Sequence, residues 1–264
     1  MRRAVSQRSG VELFSGRGHP ELESAAPYLA VEEGLRAAYR QVWSRYRSDD
    51  EVEVRTENHR RLARILGDLS SSFGRGISVL DAGCGTGRYF HCLNGVKRLV
   101  GMDLSPEMLA AARAPVCSEE ISARQIELLC ANVFLHQWPP QSFDLIYSLG
   151  MFGNGCPVTT EICNRFYEWL RPGGKLFFNT VEVSTLPWLV RARMKLRNQL
   201  ARWLPRKLQA RKRGAGSIPF FAMTKRELRK LLRGSLFEKF SVARVGCVSP
   251  LWQGVHLECL AEKT

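Results

Sequence analysis

The sequence of 264 residues has no run of about 18 consecutive apolar residues, so it predicts no membrane-spanning helix. Its first ten residues also lack the apolar stretch of a secretory signal, which makes such a signal unexpected. They contain Arg and Ser, and no acid precedes Glu12. A loosely packed tail is therefore expected over residues 1–20, with a transit peptide as the alternative.

Paired cysteines are missing as well. The eight cysteines are scattered along the chain, and none of them belongs to a C-x-x-C pair. This pattern argues against a disulfide framework and against a zinc site. The expected location is therefore the reducing cytoplasm, with a mitochondrial location as an open alternative, and no metal is expected.

The third feature that the sequence lacks is an even distribution of charge. The net charge is +14, but residues 184–233 alone carry fifteen Lys or Arg and a single acid, Glu227. The rest of the chain has 24 bases and 24 acids. Whatever the positive charge does, it belongs to that one segment.

A glycine-rich turn follows the first apolar run of the central region. Residues 77–80 are apolar and partly β-branched, Asp81 ends the run, and Gly83, Gly85 and Gly87 follow at every second position. This order predicts a strand, a tight turn and a helix through about Leu93, with backbone open to a ligand. A nicotinamide or flavin loop would need G-x-G-x-x-G, and here the third glycine falls one position early.

A second strand ends in another acid. Residues 97–103 are predicted to form this strand, whose apolar part at 99–102 ends at Asp103, and a carboxylate there can accept both hydroxyls of a ribose. Ser105 then suits a helix N-cap and Pro106 the first helical position, so a helix is predicted to about Arg113.

Together these two stretches resemble motifs of the class I S-adenosylmethionine-dependent methyltransferases. The first matches D/E-x-G-x-G-x-G after an apolar strand, and the likeness continues over residues 77–180, through the Pro-Gly-Gly turn at 172–174. The resemblance implies that S-adenosylmethionine is the cofactor, with Asp81 balancing its ammonium and Asn132 and Val133 at its adenine. The cofactor-binding residues expected on this basis are Asp81, Ala82, Gly83, Cys84, Gly85, Thr86, Gly87, Tyr89, Asp103, Leu104, Ser105, Met108, Asn132, Val133, Ser148 and Leu149.

The alternation of strands and helices predicts an α/β fold, a doubly wound Rossmann-like sheet of seven strands. Most strands should be parallel and the last one antiparallel. The expected layout is a single domain over residues 21–264. Its parts are N-terminal helices (21–76, helical over about 21–46 and 50–69), a cofactor-binding core (77–183), a basic insertion (184–223) and a C-terminal helix and strand pair (224–264). By resemblance, the N-terminal helices should cover the cofactor and substrate as a lid.

The basic insertion reads as an amphipathic helix between Pro187 and Pro205, with Trp188 and Trp203 on its apolar face. Three roles stay open for it: a substrate lid, contact with an anionic membrane through residues 184–213, or RNA binding. Methyltransferases of ubiquinone and menaquinone biosynthesis look similar in carrying a basic insertion after the fifth strand.

Methyl transfer from a sulfonium depends mostly on positioning the reactants and excluding water, and only some acceptors need a general base. Candidates for catalytic or substrate-contacting roles are His136, Asn179, Glu182 and His256.

The sequence lacks the [DN]-P-P-[FY] motif of amino-methylating nucleic-acid enzymes, the Pro-Cys or Thr-Cys nucleophile of cytosine C5 enzymes and the paired glutamates of protein arginine methyltransferases. The favoured function is therefore methylation of an O, N or C nucleophile on a lipid-like or natural-product small molecule. An RNA methyltransferase and a non-catalytic cofactor-binding partner are the alternatives.

Overall fold

The structure is a computed structural model that describes residues 20–185, 188, 220–250 and 253–264. Within these residues the α-helices are α1 (Pro20–Glu53), α2 (Glu57–Ser71), α3 (Pro106–Ala112), α4 (Thr160–Trp169) and α5 (Lys225–Arg233). The strands are β1 (Ile77–Ala82), β2 (Val96–Asp103), β3 (Gln125–Cys130), β4 (Phe143–Ser148), β5 (Leu170–Glu182), β6 (Ala222–Met223), β7 (Lys239–Val248) and β8 (Gln253–Glu262).

One sheet contains all of these strands. Its order is β3-β2-β1-β4-β5-β8-β7, and β8 runs antiparallel to both β5 and β7, while the pairs from β3 to β5 are parallel. The doubly wound α/β fold with an antiparallel last strand is thus confirmed. The sheet has eight strands rather than the predicted seven. The additional strand, β6, pairs with the end of β5 and has only two residues, which is too few to show a strand pattern in the sequence.

The two faces of the sheet are covered by different helices because successive side chains of a strand point to opposite faces. In β1, Val79 packs in the core layer under Leu62 and Leu66 of α2. Leu80 packs in the other layer, which α4 and α5 complete. Since β1 and β4 are buried nearly throughout, neither strand has a solvent-facing row of polar side chains.

The helix expected after the glycine-rich turn does not form. Turns follow Gly83, and only a 3₁₀ turn, Phe90–Cys92, precedes β2. Gly87 has φ +80 and Gly95 has φ +64, and both values lie outside helical geometry. The short stretch between them is below the length at which a helix gains stability from its own hydrogen bonds.

The N-terminal helices are confirmed, with shifted boundaries. α1 continues to Glu53, and α2 begins at Glu57 rather than near Asp50, because the Thr56 side chain accepts a hydrogen bond from the His59 N–H (3.2 Å) as the N-cap. The predicted tail lies outside the described residues up to residue 19, and so does most of the basic insertion. Within the described part of the chain, no helix combines the length and apolar character needed to cross a membrane.

Opposite the carboxyl ends of the strands, a buried acid joins three neighbouring segments. The Asp144 side chain at the start of β4 is 1% exposed. It accepts hydrogen bonds from Arg75 (2.5 Å), Arg171 (2.6 Å) and the Ser78 backbone N–H (2.8 Å). This carboxylate therefore links the N-terminal ends of β1, β4 and β5.

Candidate functional site

A cavity of about 240 Å³ lies at the carboxyl ends of β1 to β4, beneath α1. Most of the expected cofactor-binding residues line it. Those residues are Asp81, Gly83, Cys84, Gly85, Thr86, Tyr89, Asp103, Leu104, Met108, Asn132, Val133 and Leu149. The remaining four, Ala82, Gly87, Ser105 and Ser148, support the lining from behind: Ser148 Oγ donates to the Ala82 carbonyl (2.7 Å), and Ser105 caps α3.

The glycine-rich turn presents its backbone to the cavity. Gly83 has φ +79, and a Cβ there would lie 2.7 Å from the Met151 side chain, so only glycine fits. Gly85 has φ +53, and a Cβ there would meet nothing within 4 Å. A ligand can therefore approach the main chain at Gly85 directly.

The Asp103 carboxylate is fixed at the end of β2. Its Oδ2 accepts the Gly85 N–H (2.8 Å), and its Oδ1 accepts the Ser105 N–H (2.9 Å). Burial raises the pKa of Asp103, and these N–H groups act in the opposite direction. A carboxylate has about four lone-pair sites, so each oxygen keeps capacity for a hydroxyl donor from the cavity.

Asp81 is the second acid of the lining and is only 2% exposed. Burial raises the pKa of Asp81 to about 8; the nearby Tyr147 hydroxyl lowers it and Asp103 raises it further. A buried carboxyl of this kind gains stability from a cation placed against it.

At the end of β3, the Asn132 amide is held on both sides. Its Nδ2 donates to Glu32 Oε2 of α1 (2.9 Å), and its Oδ1 accepts the Phe134 N–H (2.9 Å). The amide still has one further donor and one further acceptor position. It therefore has fixed polar groups available for the edge of a planar ring.

Helix α1 supplies lining residues that the sequence did not single out as ligands. Asp50 accepts from the Thr86 hydroxyl and pairs with Arg88 (Nε to Oδ1, 3.4 Å), and burial raises the pKa of Asp50. Tyr39 donates to the Asn154 carbonyl (3.1 Å), and Tyr46 lies two turns further along the same face of α1. The spacing of residues 39, 46 and 50 was a signal for one shared face, but it did not show what that face covers.

The far wall of the cavity is mostly apolar. It is formed by the loop after β4 and the residue before β6, and it comprises Gly150, Met151, Gly155, Cys156, Pro157 and Phe221. In this loop Gly153 and Gly155 take positive φ. The sequence did not indicate that Phe221, about 70 residues further along the chain, completes this wall.

The four candidates for catalysis do not line this cavity. Asn179 Oδ1 accepts the Gly150 N–H (2.9 Å), and so it fixes the loop that carries part of the lining. Glu182 accepts from the backbone N–H and hydroxyl of Ser184 and pairs with Arg244 (3.5 Å). Asn179 thus reaches the cavity only through Gly150.

The two candidate histidines lie apart from the lining as well. The His136 ring contacts Trp138 edge-on, with centroids 4.8 Å apart, and its carbonyl accepts from Arg165. His256 lies on β8 opposite Val181, and burial lowers its pKa to about 4. Catalytic roles for all four residues stay predictions.

Comparison with known proteins gives matches over the same part of the chain. Residues 79–174 match the family model of the methyltransferase domain. A ubiquinone biosynthesis O-methyltransferase of Idiomarina loihiensis is 32% identical over 49% of this chain and 52% of its own length. A malonyl-[acyl-carrier protein] O-methyltransferase of Enterobacter lignolyticus is 30% identical over 61% of this chain and 58% of its own length. The chain thus spans about half the length of the curated relatives that it matches.

Solved structures share the fold over a longer range. The 1,6-didemethyltoxoflavin-N1-methyltransferase of Burkholderia thailandensis is similar with a TM-score of 0.55 and 21% identity. The match covers 96% of this chain and 93% of that enzyme. At this identity the likeness concerns the arrangement of the helices and strands.

Proposed function

We propose that this chain, whose residues 79–174 match the methyltransferase-domain model, methylates a small molecule with S-adenosylmethionine as donor. The observation that carries the proposal is the hydrogen bond between Asp103, at the end of β2, and the glycine-rich turn. There the Asp103 carboxylate is bonded to Gly85, and the open side of Gly85 faces the cavity. This arrangement suits a nucleoside that rests on backbone and donates two hydroxyls to one carboxylate.

The remaining lining suits the other parts of S-adenosylmethionine. Asp81 would hold the ammonium, Asp103 the ribose, and Asn132 with the Val133 backbone the adenine edge. When bound, the cofactor supplies a methyl group on a sulfonium, which passes to a nucleophile by in-line displacement.

Apart from Asp81 and Asp103, which we assign to the cofactor, the described lining offers no effective general base for the acceptor. Burial raises the pKa of Tyr39 and Tyr46, and it raises the pKa of Cys156 to about 12, so these groups stay protonated at neutral pH. Asp50 is engaged by Thr86 and Arg88. The acceptor atom should therefore be nucleophilic at neutral pH without the removal of a proton by the protein, as the atom of a weakly basic amine, an acidic phenol or an acidic enol is.

The apolar far wall favours an acceptor with an apolar body. Met151, Pro157 and Phe221 offer it dispersion contact and exclude water, which assists methyl transfer. The described lining contains one Arg and no Lys, and that Arg88 is paired with Asp50. This composition does not favour a polyanionic acceptor such as RNA.

The test is transfer of a deuterated methyl group from labelled S-adenosylmethionine to a small-molecule extract, followed by mass spectrometry. We expect labelled products in the small-molecule fraction and none in the RNA fraction. Label confined to RNA would contradict the proposed acceptor class. Tight binding of the cofactor without any labelled product would favour a non-catalytic binding partner.

Asp81 gives the proposal a pH dependence. Without ligand, the Asp81 carboxyl is protonated below its pKa of about 8. Binding of an ammonium group next to it must therefore release that proton. Affinity for S-adenosylhomocysteine should therefore rise up to about tenfold per pH unit between pH 6 and 8, until the ligand's own amine begins to titrate. Calorimetry in two buffers of different ionisation enthalpy should show proton release, and Asp81→Asn should remove it. An affinity that is flat over this range would contradict the assignment of Asp81 to the ammonium.

Contact with an anionic membrane through residues 184–213 stays a prediction from charge, since nearly all of this segment lies outside the described residues. Trp188, which is described, is 67% exposed. Deleting residues 186–213 should abolish sedimentation with vesicles rich in phosphatidylserine. If the deletion leaves sedimentation unchanged, the segment is not the membrane contact.

A further inference from the structure

Two histidines and a cysteine converge beside the cofactor cavity. His59 lies on α2, and His91 and Cys92 lie in the 3₁₀ turn after the glycines. The Nε2 atoms of the two histidines are 3.3 Å apart. Cys92 Sγ lies 3.5 Å from His91 Nε2 and 3.8 Å from His59 Nε2.

These separations match the edges of a metal-centred tetrahedron. With Zn–N bonds of about 2.0–2.1 Å and a Zn–S bond of about 2.3 Å, tetrahedral angles require about 3.3–3.4 Å between nitrogens and about 3.6 Å between nitrogen and sulfur. The three observed distances lie within about 0.2 Å of these values. The three atoms are therefore close enough together to bind one ion.

The surroundings suit a metal site as well. His59 and Cys92 are buried. A cleft that also touches Cys117 and Glu120 opens beside the cluster, and an ion can enter there. The ligand atoms of Cys117 and Glu120 lie within 4.8 Å of each other and of a ring nitrogen of His91, but not of all three proposed ligands, so water would take the fourth position.

We propose that His59, His91 and Cys92 bind a tetrahedral divalent transition-metal ion, with Zn²⁺ as the expected ion. Histidine nitrogen and cysteine sulfur are the ligands that Zn²⁺ takes in proteins. The Cys92 thiol gives up its proton to solvent when the metal–sulfur bond forms, and no electron is transferred.

The ion would link α2 to the 3₁₀ turn Phe90–Cys92, which lies where a helix was expected. The His59 ring stacks on Tyr89, with centroids 5.2 Å apart, and Tyr89 lines the cofactor cavity. A bound metal would therefore hold one wall of that cavity. The inference does not depend on the proposed methyl transfer, since it concerns residues outside the lining.

The absence of C-x-x-C pairs had indicated that the chain has no zinc site. That indication covers only sites built from neighbouring cysteines. Here His59 lies more than 30 residues before the other two ligands, and the packing of α2 against the 3₁₀ turn brings them together.

Titration of the full-length chain with Co²⁺ tests the site, since a tetrahedral Co²⁺ bound by thiolate absorbs strongly in the visible and near ultraviolet. We expect one Co²⁺ per chain with both absorptions, displaced by Zn²⁺. Cys92→Ser should remove the thiolate absorption, and His59→Gln should weaken binding more than about 100-fold, beyond the effect of removing an outer partner. Cys130→Ser, at an exposed cysteine, is the matched control and should bind as the unaltered chain does.

Thermal unfolding with and without Zn²⁺ gives a second readout. Zn²⁺ should raise the Tm of the unaltered chain and of Cys130→Ser, and it should leave His59→Gln unchanged. Folding of each variant is checked by circular dichroism. The proposal is overturned if the unaltered chain binds no stoichiometric Co²⁺, or if a folded Cys92→Ser or His59→Gln variant binds it equally well.

Discussion

Replacing Asp103 with alanine should weaken the binding of S-adenosylhomocysteine at least about 100-fold. The carboxylate would accept two ribose hydroxyls, and a hydrogen bond to a charged group contributes about 1.5–3 kcal/mol. Two of them amount to about 3–6 kcal/mol, and each 1.4 kcal/mol is a factor of ten in affinity. The alanine variant also leaves the Gly85 and Ser105 N–H groups without their acceptor, which loosens the glycine-rich turn.

Isothermal titration measures this effect, and Glu127→Ala is the matched control. Glu127 is another acid of the same half of the sheet, but it pairs with Arg98 (2.7 Å) away from the cavity. Asp103→Asn, which keeps one oxygen as acceptor, should lie between the alanine variant and the unaltered chain. If a folded Asp103→Ala chain binds the ligand as the unaltered chain does, the nucleoside does not lie where we place it.

Replacing Asp144 with alanine should instead affect stability and leave ligand affinity nearly unchanged. The change removes two charged pairs and the acceptor of the Ser78 N–H. Arg75 and Arg171 are each more than a third exposed and can turn to water, so the cost falls below that of a fully buried pair. We expect the free energy of unfolding to fall by about 2–4 kcal/mol.

Urea unfolding monitored by circular dichroism measures that change, and titration below the transition measures affinity. Asp103 and Asp144 are acids at opposite ends of the same sheet, so together they separate binding from folding. A loss of affinity in Asp144→Ala as large as that in Asp103→Ala would contradict this division. So would an unchanged unfolding midpoint.

The sequence was informative where a role follows from a short local pattern. Asp81 and Asp103 each end an apolar run, and parallel strands bring their carboxyl ends to one edge of the sheet, so both acids could be placed in one crevice. The C-terminal helix was expected from residue 224, and α5 does begin there, with reciprocal capping bonds between Thr224 and Glu227. The family match confirms the resemblance on which the cofactor was assigned.

The sequence was uninformative where a role depends on packing between distant segments. Asp50 reaches Thr86 only because α1 crosses over the glycine-rich turn. His59 meets Cys92 only because α2 packs against the turn that replaced the expected helix. Strand-end position alone also drew attention to Glu182, although its carboxylate is held by Ser184 and Arg244 outside the cavity.

A crystal structure of the chain soaked with S-adenosylhomocysteine tests the central claim most directly. We expect density for the nucleoside across the ends of β1 to β3, with both ribose hydroxyls within hydrogen-bond distance of Asp103 and the amino group beside Asp81. Density for the ligand elsewhere would contradict this placement. So would a cavity without ligand density at saturating ligand, if the ligand binds in solution.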